Sequence, residues 1–336
     1  MNIQREEFLT KLQQVTPGLS TREIIDQSSC FVFTGKTLAT FNDDVACRLA
    51  MKTDFVGAVQ AAPLLDILRK LTEETIDISF TKVEDGHQLI MKGKHKRIGI
   101  RMEAEIALPV NTVERPEQWK TLPLEFSEAI SIVKECAGRD ETHFHLTCIH
   151  IHPKWVEACD GFQISRYKLA SGIEKPFLVR KESLKHIVSL NMLEFSETPA
   201  WVHFKNDTGL ILSCRRYLEE YQDMSGILKV EGHPVQLPKG LVEAVQKATV
   251  FSSQSTEDNM VLIQIRDGKL KLTGEGVNGW YEEIKAIKYT GEPMKFLISP
   301  ILLGQLVQKH NECQIGNKRL CVTGKNFRYV TSLGEV

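Results

Sequence analysis

The sequence predicts an α+β protein built from one module repeated three times, with two helices covering one face of the sheet in each copy. Three observations predict it. A weak pattern beginning with an amphipathic helix recurs at a spacing of about 115–120 residues. Each helix is followed by a strand, a tight turn and a second strand. Each copy then ends in a second helix and a last pair of strands.

The opening helices read Phe8-Leu9-x-x-Leu12-x-x-Val15, Phe126-x-x-x-Ile130-x-x-Val133 and Leu241-x-x-x-Val245-x-x-Ala248, each with apolar positions three or four apart. Alternating strands around a turn follow at Cys30–Phe33 with Thr34-Gly35-Lys36, at Ile149–His152 with Pro153-Lys154, and at Val261–Ile265 with Asp267-Gly268-Lys269. Further turns are expected at Asn42-Asp43-Asp44, Asp160-Gly161 and Gly274-Glu275-Gly276, each leading into another strand. Second helices are expected at Ala62–Leu68, Lys181–Val188 and Ser299–Leu303. Pro63 and Pro300 suit a first helical position, and Ser299 suits the cap before it. The closing strands are Ile76–Phe80 with Gln88–Met91, Trp201–Phe204 with Gly209–Ser213, and Gln314–Thr323 with Phe327–Thr331. Pro, Gly and charge accumulate at Glu114–Gln118 and Lys229–Pro234, which sets domains at 1–115, 116–231 and 232–336.

Composition narrows the function. The 336 residues carry 42 Lys plus Arg against 43 Asp plus Glu, with 42% hydrophobic residues and 7% aromatic ones. That balance excludes a basic tail, and leaves nucleic-acid binding to local patches. The first thirty residues lack the apolar run of a secretory signal, and Phe296–Val307 is too short and too interrupted to span a bilayer. The eight scattered cysteines form no CxxC pair. Reduced thiols in a cytoplasmic protein without membrane contact are the expectation.

Few motifs carry chemistry. Gly35-Lys36-Thr37 ends like a phosphate-binding loop, but Cys30 stands where that loop needs its first Gly, and the segment lies in a hairpin. The run His143 to His152 offers imidazoles, and with Cys148 and Cys159 it is the candidate for zinc. Its spacing fits no common structural zinc pattern, and an alternating strand places His143 with His145, and His150 with His152, on its polar face. No metal or other cofactor is therefore assigned. Lys92–Arg101 is the densest basic stretch, suited either to phosphates or to guarding a sheet edge. Lys11, Arg69, Lys134, Lys185, Lys247 and Lys309 recur on corresponding helices, which favours a shared charged surface.

These repeats, with Ala158-Cys159-Asp160-Gly161-Phe162-Gln163-Ile164 and Leu178-Val179-Arg180-Lys181, resemble the bacterial DNA polymerase III beta subunit, the sliding-clamp family, along essentially the whole chain. The family segment typically reads Ala-Thr-Asp-Gly-His-Arg-Leu, followed by Val-Pro-Arg-Lys. The motifs are short, so their colinearity carries the resemblance, and the chain looks like a divergent bacterial or phage-type member. It implies three tandem clamp domains and a non-catalytic homodimeric ring around duplex DNA. It also implies tethering of a replicative DNA polymerase for processive DNA replication, and opening by a clamp loader.

The resemblance further implies roles for residues. DNA-binding positions are Lys11, Arg22, Arg69, Arg139, Phe144, His145, Arg180, Lys181, Lys247 and Lys309, with Phe144 and His145 matching aromatics that stack on template. A partner-peptide pocket matches Leu146, Cys159, Gly161, Phe162, Gln163, Ile164, Gln222, Ile227, Val330 and Ser332. Phe162-Gln163 replaces the family's His-Arg, Gln222 replaces a Pro, and the ending lacks the family's Pro-Met-Arg-Leu, so the expectation is either a partner peptide that differs as well or a weak site. A subunit junction matches Arg97, Ile98 and Ile100 of one chain against Val250, Phe251, Glu282 and Glu283 of the other. Two other readings compete: a metal-dependent enzyme using the His143–Cys159 region, and a clamp-like regulator that does not encircle DNA.

Overall fold

The computed structural model describes the chain except residues 85, 253–259, 299, 301–302, 305–311, 317 and 334–336. Lys309, Ser299 and most of the expected third-copy second helix therefore lie outside the described residues. The first copy runs β1 (Asn2–Gln4), α1 (Arg5–Gln14), β2 (Cys30–Thr34), β3 (Thr37–Phe41), β4 (Val45–Ala50), β5 (Val56–Gln60), α2 (Ala61–Lys70), β6 (Thr75–Val83), β7 (Gly86–Lys92) and β8 (Arg97–Glu103). The second repeats that order as β9 (Lys120–Thr121), α3 (Phe126–Val133), β10 (Cys148–His152), β11 (Trp155–Cys159), β12 (Gln163–Lys168), β13 (Phe177–Arg180), α4 (Lys181–Leu184), α5 (His186–Ser189), β14 (Glu194–Glu197), β15 (Trp201–Lys205) and β16 (Ile211–Arg215). The third gives β17 (His233–Gln236), α6 (Leu241–Ser252), β18 (Val261–Arg266), β19 (Lys269–Gly276), β20 (Gly279–Ala286), β21 (Met294–Ile298), β22 (Glu312–Gly316), β23 (Arg319–Thr323) and β24 (Phe327–Ser332).

The chain divides into two compact units. The first holds Met1–Ser131, Cys148–Lys154 and Ala170–Glu219, and the second holds Ile132–Thr147, Trp155–Leu169 and Glu220–Val336. In the first, a twelve-stranded sheet runs β1-β6-β7-β8-β5-β2-β3-β4-β16-β15-β14-β9, and β10 pairs antiparallel with β13. In the second, strands run β11-β12-β24-β23-β22-β17, beside a four-stranded sheet β20-β19-β18-β21.

Hydrophobic periodicity explains the helices. Phe8, Leu9 and Leu12 of α1 are buried, and the Phe8 and Phe33 rings lie 6.3 Å apart between centroids. Leu64, Leu65 and Leu68 of α2 are likewise buried. Burying each such side chain contributes roughly 1.5–3 kcal/mol, far more than the weak intrinsic preference of a ten-residue helix supplies. The turns hold where left-handed backbone was required: Gly35 has φ +82°, Asp43 +76° and Gly161 +94°.

The structure corrects several expectations. Gly274 lies inside β19, and the reversal comes after Gly276. A Cβ on Gly274 would meet the Ala248 carbonyl oxygen at 2.2 Å, so this glycine admits α6 to the sheet. Gln314–Thr323 is two strands, β22 and β23, with Gln314 opposite Cys321. Lys318, at φ +55°, makes that reversal. Pro63 is the third residue of α2, where its missing N–H still falls among those a helix start leaves without a partner. The second helix of the middle copy is two short pieces, α4 and α5, meeting at Lys185. His145 sits in a 3-10 stretch, Glu141–Thr147, that is kinked at His143, whose φ −115° and ψ 67° are not helical, and the strand begins only at Cys148. β8 is not a free edge along its whole length, because β5 covers Met102 and Glu103.

Candidate functional site

Every residue expected to line the peptide pocket falls in the second unit. Glu157 stands opposite Arg166 and Cys159 opposite Ile164, so β11 and β12 put all four side chains on one face of the sheet. Val330 pairs with Ile164 and also with Cys321, which extends that face across β24 and β23. Its apolar half is Cys159, Ile164, Val330 and Cys321, over which Met224, Leu228 and Val230 pack, with Tyr221 beside them. Its polar half is tied down by hydrogen bonds. Arg166 Nε donates to Glu157 Oε2 at 2.7 Å, its Nη1 donates to Ser225 Oγ at 3.1 Å, and its guanidinium lies 4.6 Å from the Trp155 ring. The irregular segment carrying Gln222 and Ile227 is thus held at both ends of the face.

The rim is formed by the Asp160 turn. Asp160 Oδ1 accepts the amides of Phe162 and Gln163, both at 2.9 Å, and its Oδ2 accepts Gln163 Nε2. Gln163 Oε1 accepts the Tyr329 hydroxyl at 3.0 Å, and the Ser332 amide donates to the Phe162 carbonyl at 2.8 Å. With its backbone fixed in this way, the Phe162 ring is left 77% exposed, and Ile227 is 36% exposed nearby in sequence to the covered Leu228. Cys159 is buried, and burial pushes its thiol pKa up, so it behaves as an apolar lining group. Leu146 is half-buried, and its carbonyl accepts the Gly138 amide at 2.7 Å.

The expected DNA-binding cations are dispersed over the two units. In the first, Lys11 pairs with Glu7 at 2.7 Å, Arg69 with Asp66 at 3.4 Å and Arg180 with Asp44 at 3.5 Å. Arg22 lies exposed in the loop before β2, and Lys181 opens α4. In the second, Arg139 is exposed ahead of the 3-10 stretch that carries half-buried Phe144 and His145. Lys247 pairs with Glu283 at 3.5 Å, so a residue expected on DNA and one expected at the subunit junction are direct neighbours. Exposed pairs of this kind are worth about 0–1 kcal/mol, and a phosphate can replace the carboxylate at little cost. Among the described residues no three His, Cys, Asp or Glu side chains gather as a metal site. No helix among them is long and apolar enough to cross a membrane.

Solved structures share this architecture over the full chain. A putative DNA polymerase III beta subunit of Eubacterium rectale superposes with TM-score 0.83 at 14% identity, covering 100% of this chain and 99% of that one. A sliding clamp of Bartonella birtlesii, crystallised with griselimycin, gives 0.84 at 15%, and the beta subunit of Thermotoga maritima gives 0.81 at 14%, both with the same coverage. The fold is that of the bacterial DNA polymerase III beta subunits. No protein-family model matches the chain, in keeping with a sequence far diverged within this fold.

Within the beta-subunit fold, the fourth strand of one copy joins the eighth strand of the next. β4 pairs with β16 from Val45–Cys214 to Arg48–Ile211, and β12 pairs with β24 from Gln163–Thr331 to Tyr167–Phe327. The fourth strand of the third copy, β20, is the outer strand of its sheet. Trp280, 67% exposed, and Ile284, 55% exposed, point outward from it. Both were missed in the sequence reading, although the period-2 pattern of Trp280, Glu282 and Ile284 was the available signal. Glu282 pairs with Lys271 at 2.6 Å, and Glu283 with Lys285 at 2.7 Å. Hydrogen bonds from Lys285 and Tyr281 pull the Glu283 carboxyl down to about 2. Val250 is exposed, and Phe251 is half-buried against Gly279. On β8, Ile100 is buried and Ile98 half-buried between exposed Arg97 and Arg101.

Proposed function

We propose that the chain is a DNA sliding clamp, a non-catalytic homodimeric ring that encloses duplex DNA and tethers a replicative DNA polymerase in the cytoplasm. One observation carries the reading: the fourth-to-eighth strand seam occurs twice within the chain and leaves a fourth strand, β20, whose outer edge is open among the described residues. The matching eighth strand is β8, where no β5 pairing reaches Arg97–Arg101. Pairing β20 of one protomer with β8 of its partner would repeat the same seam twice more, and a head-to-tail contact that closes in this way makes a ring. Trp280 and Ile284 would supply apolar burial there, and Arg97 and Arg101 would face the acids of β20. An open edge with outward apolar side chains is otherwise a liability for aggregation.

The likeness to beta subunits along the whole chain supports the same reading, as does a dispersed set of weakly paired cations. Such contacts suit sequence-independent, salt-sensitive phosphate binding that permits sliding. Met224, Leu228 and Val230 cover the Cys159–Ile164–Val330 face, so the exposed Phe162 and Ile227 at its rim are what suit capture of a short apolar peptide from the polymerase or from a clamp loader. The test is assembly mass by sedimentation, together with polymerase product length on a primed circular template. A dimer that lengthens products supports the clamp. A monomer that leaves product length unchanged overturns it.

A further inference from the structure

A cleft of about 590 Å³ in the first unit opens between the β2–β3 hairpin, β4, Ile211 and the segment 110–119. Three cations line it, Lys36, Arg48 and Arg115, and no carboxylate does. Arg48 is half-buried, and its Nη2 donates to the Val110 carbonyl at 3.0 Å. Burial, and then the charge of Arg115, push its pKa down, so the two guanidiniums stand close enough to repel. Among the described residues no carboxylate pairs with any of the three cations. Glu114 Oε2 accepts the Ala200 amide at 3.2 Å, and Glu114 lines, with Glu117, a neighbouring cleft that Arg115 also borders. Like charges held together without a counterion are relieved by a bound anion. The rest of the wall is mainly apolar, with Val110, Pro116, Trp119 and Ile211, and carries Thr34, Thr37 and Asn111 as neutral polar groups. The volume is that of an ordinary small-molecule site.

We propose that this cleft binds a nucleoside polyphosphate, with its phosphates between Lys36, Arg48 and Arg115 and its base against Trp119 and Pro116. Recognition here uses side chains rather than a cradle of backbone amides ahead of a helix, and the Gly35-Lys36-Thr37 turn takes part through Lys36 and Thr37. The charge of a nucleoside diphosphate, about −3, matches the three cations. The Lys205 ammonium, 4.5 Å over the Trp119 ring, fixes one face of the indole.

Calorimetric titration of the full chain with ADP, inorganic pyrophosphate and adenosine tests the proposal. ADP is expected to bind at least about tenfold more tightly than either fragment. Arg115→Gln, at an exposed position, should weaken ADP and pyrophosphate alike by about tenfold. Trp119→Leu, which keeps apolar bulk beside Lys205, should weaken ADP and leave pyrophosphate unchanged. Pyrophosphate binding as tightly as ADP, or ADP binding unaffected by Arg115→Gln, would overturn the proposal. So would a short single-stranded oligonucleotide that binds through Arg115 where ADP does not, since that outcome makes the cleft a nucleic-acid track.

Discussion

His203 is fully buried on β15, with Nδ1 2.7 Å from Ser213 Oγ and Nε2 3.0 Å from Thr198 Oγ1. Burial lowers its pKa to about 4. The carboxylate of Glu114 opposes that shift, and the cations of Arg48 and Arg216 reinforce it. Because the folded value lies below the unfolded value of about 6.5, the stability from the neutral ring is present above pH 6.5 and is lost as pH falls toward 4. Roughly 2 kcal/mol should disappear between pH 7 and pH 5. In denaturant titrations His203→Gln, which keeps a donor and an acceptor, should lose about 2 kcal/mol less stability over the same interval, and so show a shallower pH slope. An equal slope would mean that the ring titrates normally. Gly274→Ala belongs to the same scale. Its methyl group would press on the Ala248 carbonyl, and roughly 1–3 kcal/mol should be lost in thermal unfolding. Neither residue declares itself in sequence. A buried histidine and a surface one are the same letter, and a glycine that admits a helix is indistinguishable from one that makes a turn. By contrast, the Gly161 and Asp43 turns were legible because their conformations restrict the residue types that can occupy them.

Elements that bury one face against near neighbours were read correctly, as for α1, α3 and α6 and the β6–β7 and β15–β16 hairpins. The segment 220–230 was legible only as a few pocket positions, because it has no period of its own and owes its place to Arg166, Met224 and Leu228. Ser225→Ala removes one hydrogen bond from it, worth about 1 kcal/mol. Amide exchange across residues 222–228 should quicken by about fivefold, while the Glu157–Arg166 pair and global stability persist. Unchanged exchange would show that apolar packing alone holds the segment. At the open edges, Ile98→Lys combined with Ile284→Lys places like charges on both strands of the proposed junction and spares the core. Phe251 is a poorer site for the same purpose, since its ring supports Gly279. Sedimentation should report monomers for the double variant, and a persistent dimer would remove this junction.

At the scale of the molecule, the threefold order of elements was visible in sequence, whereas the seams between copies were not. Hydrophobic alternation identifies a strand and its buried face, but says nothing about which distant strand lies beside it. β4 and β16 are such a pair, and so are β12 and β24. If two protomers close into a ring, the protein loaded on circular DNA should stay bound at moderate salt and leave once the circle is cut. Equal loss from circular and linear DNA would favour the regulator that does not enclose the duplex. Retention should outlast salt concentrations that abolish binding to short linear fragments, because enclosure does not depend on phosphate contacts.

The β12–β24 seam also governs how the protein is made. The Tyr329 hydroxyl reaches Gln163 across 166 positions of chain, and Val330 completes the apolar face begun by Ile164. On the ribosome, at about 5–20 residues per second, the edge of β12 waits many seconds for its neighbour. Contacts this remote in sequence form late and slowly. The newborn chain therefore displays an uncovered, aggregation-prone border until its last strands emerge, and holdase chaperones are expected to engage it there.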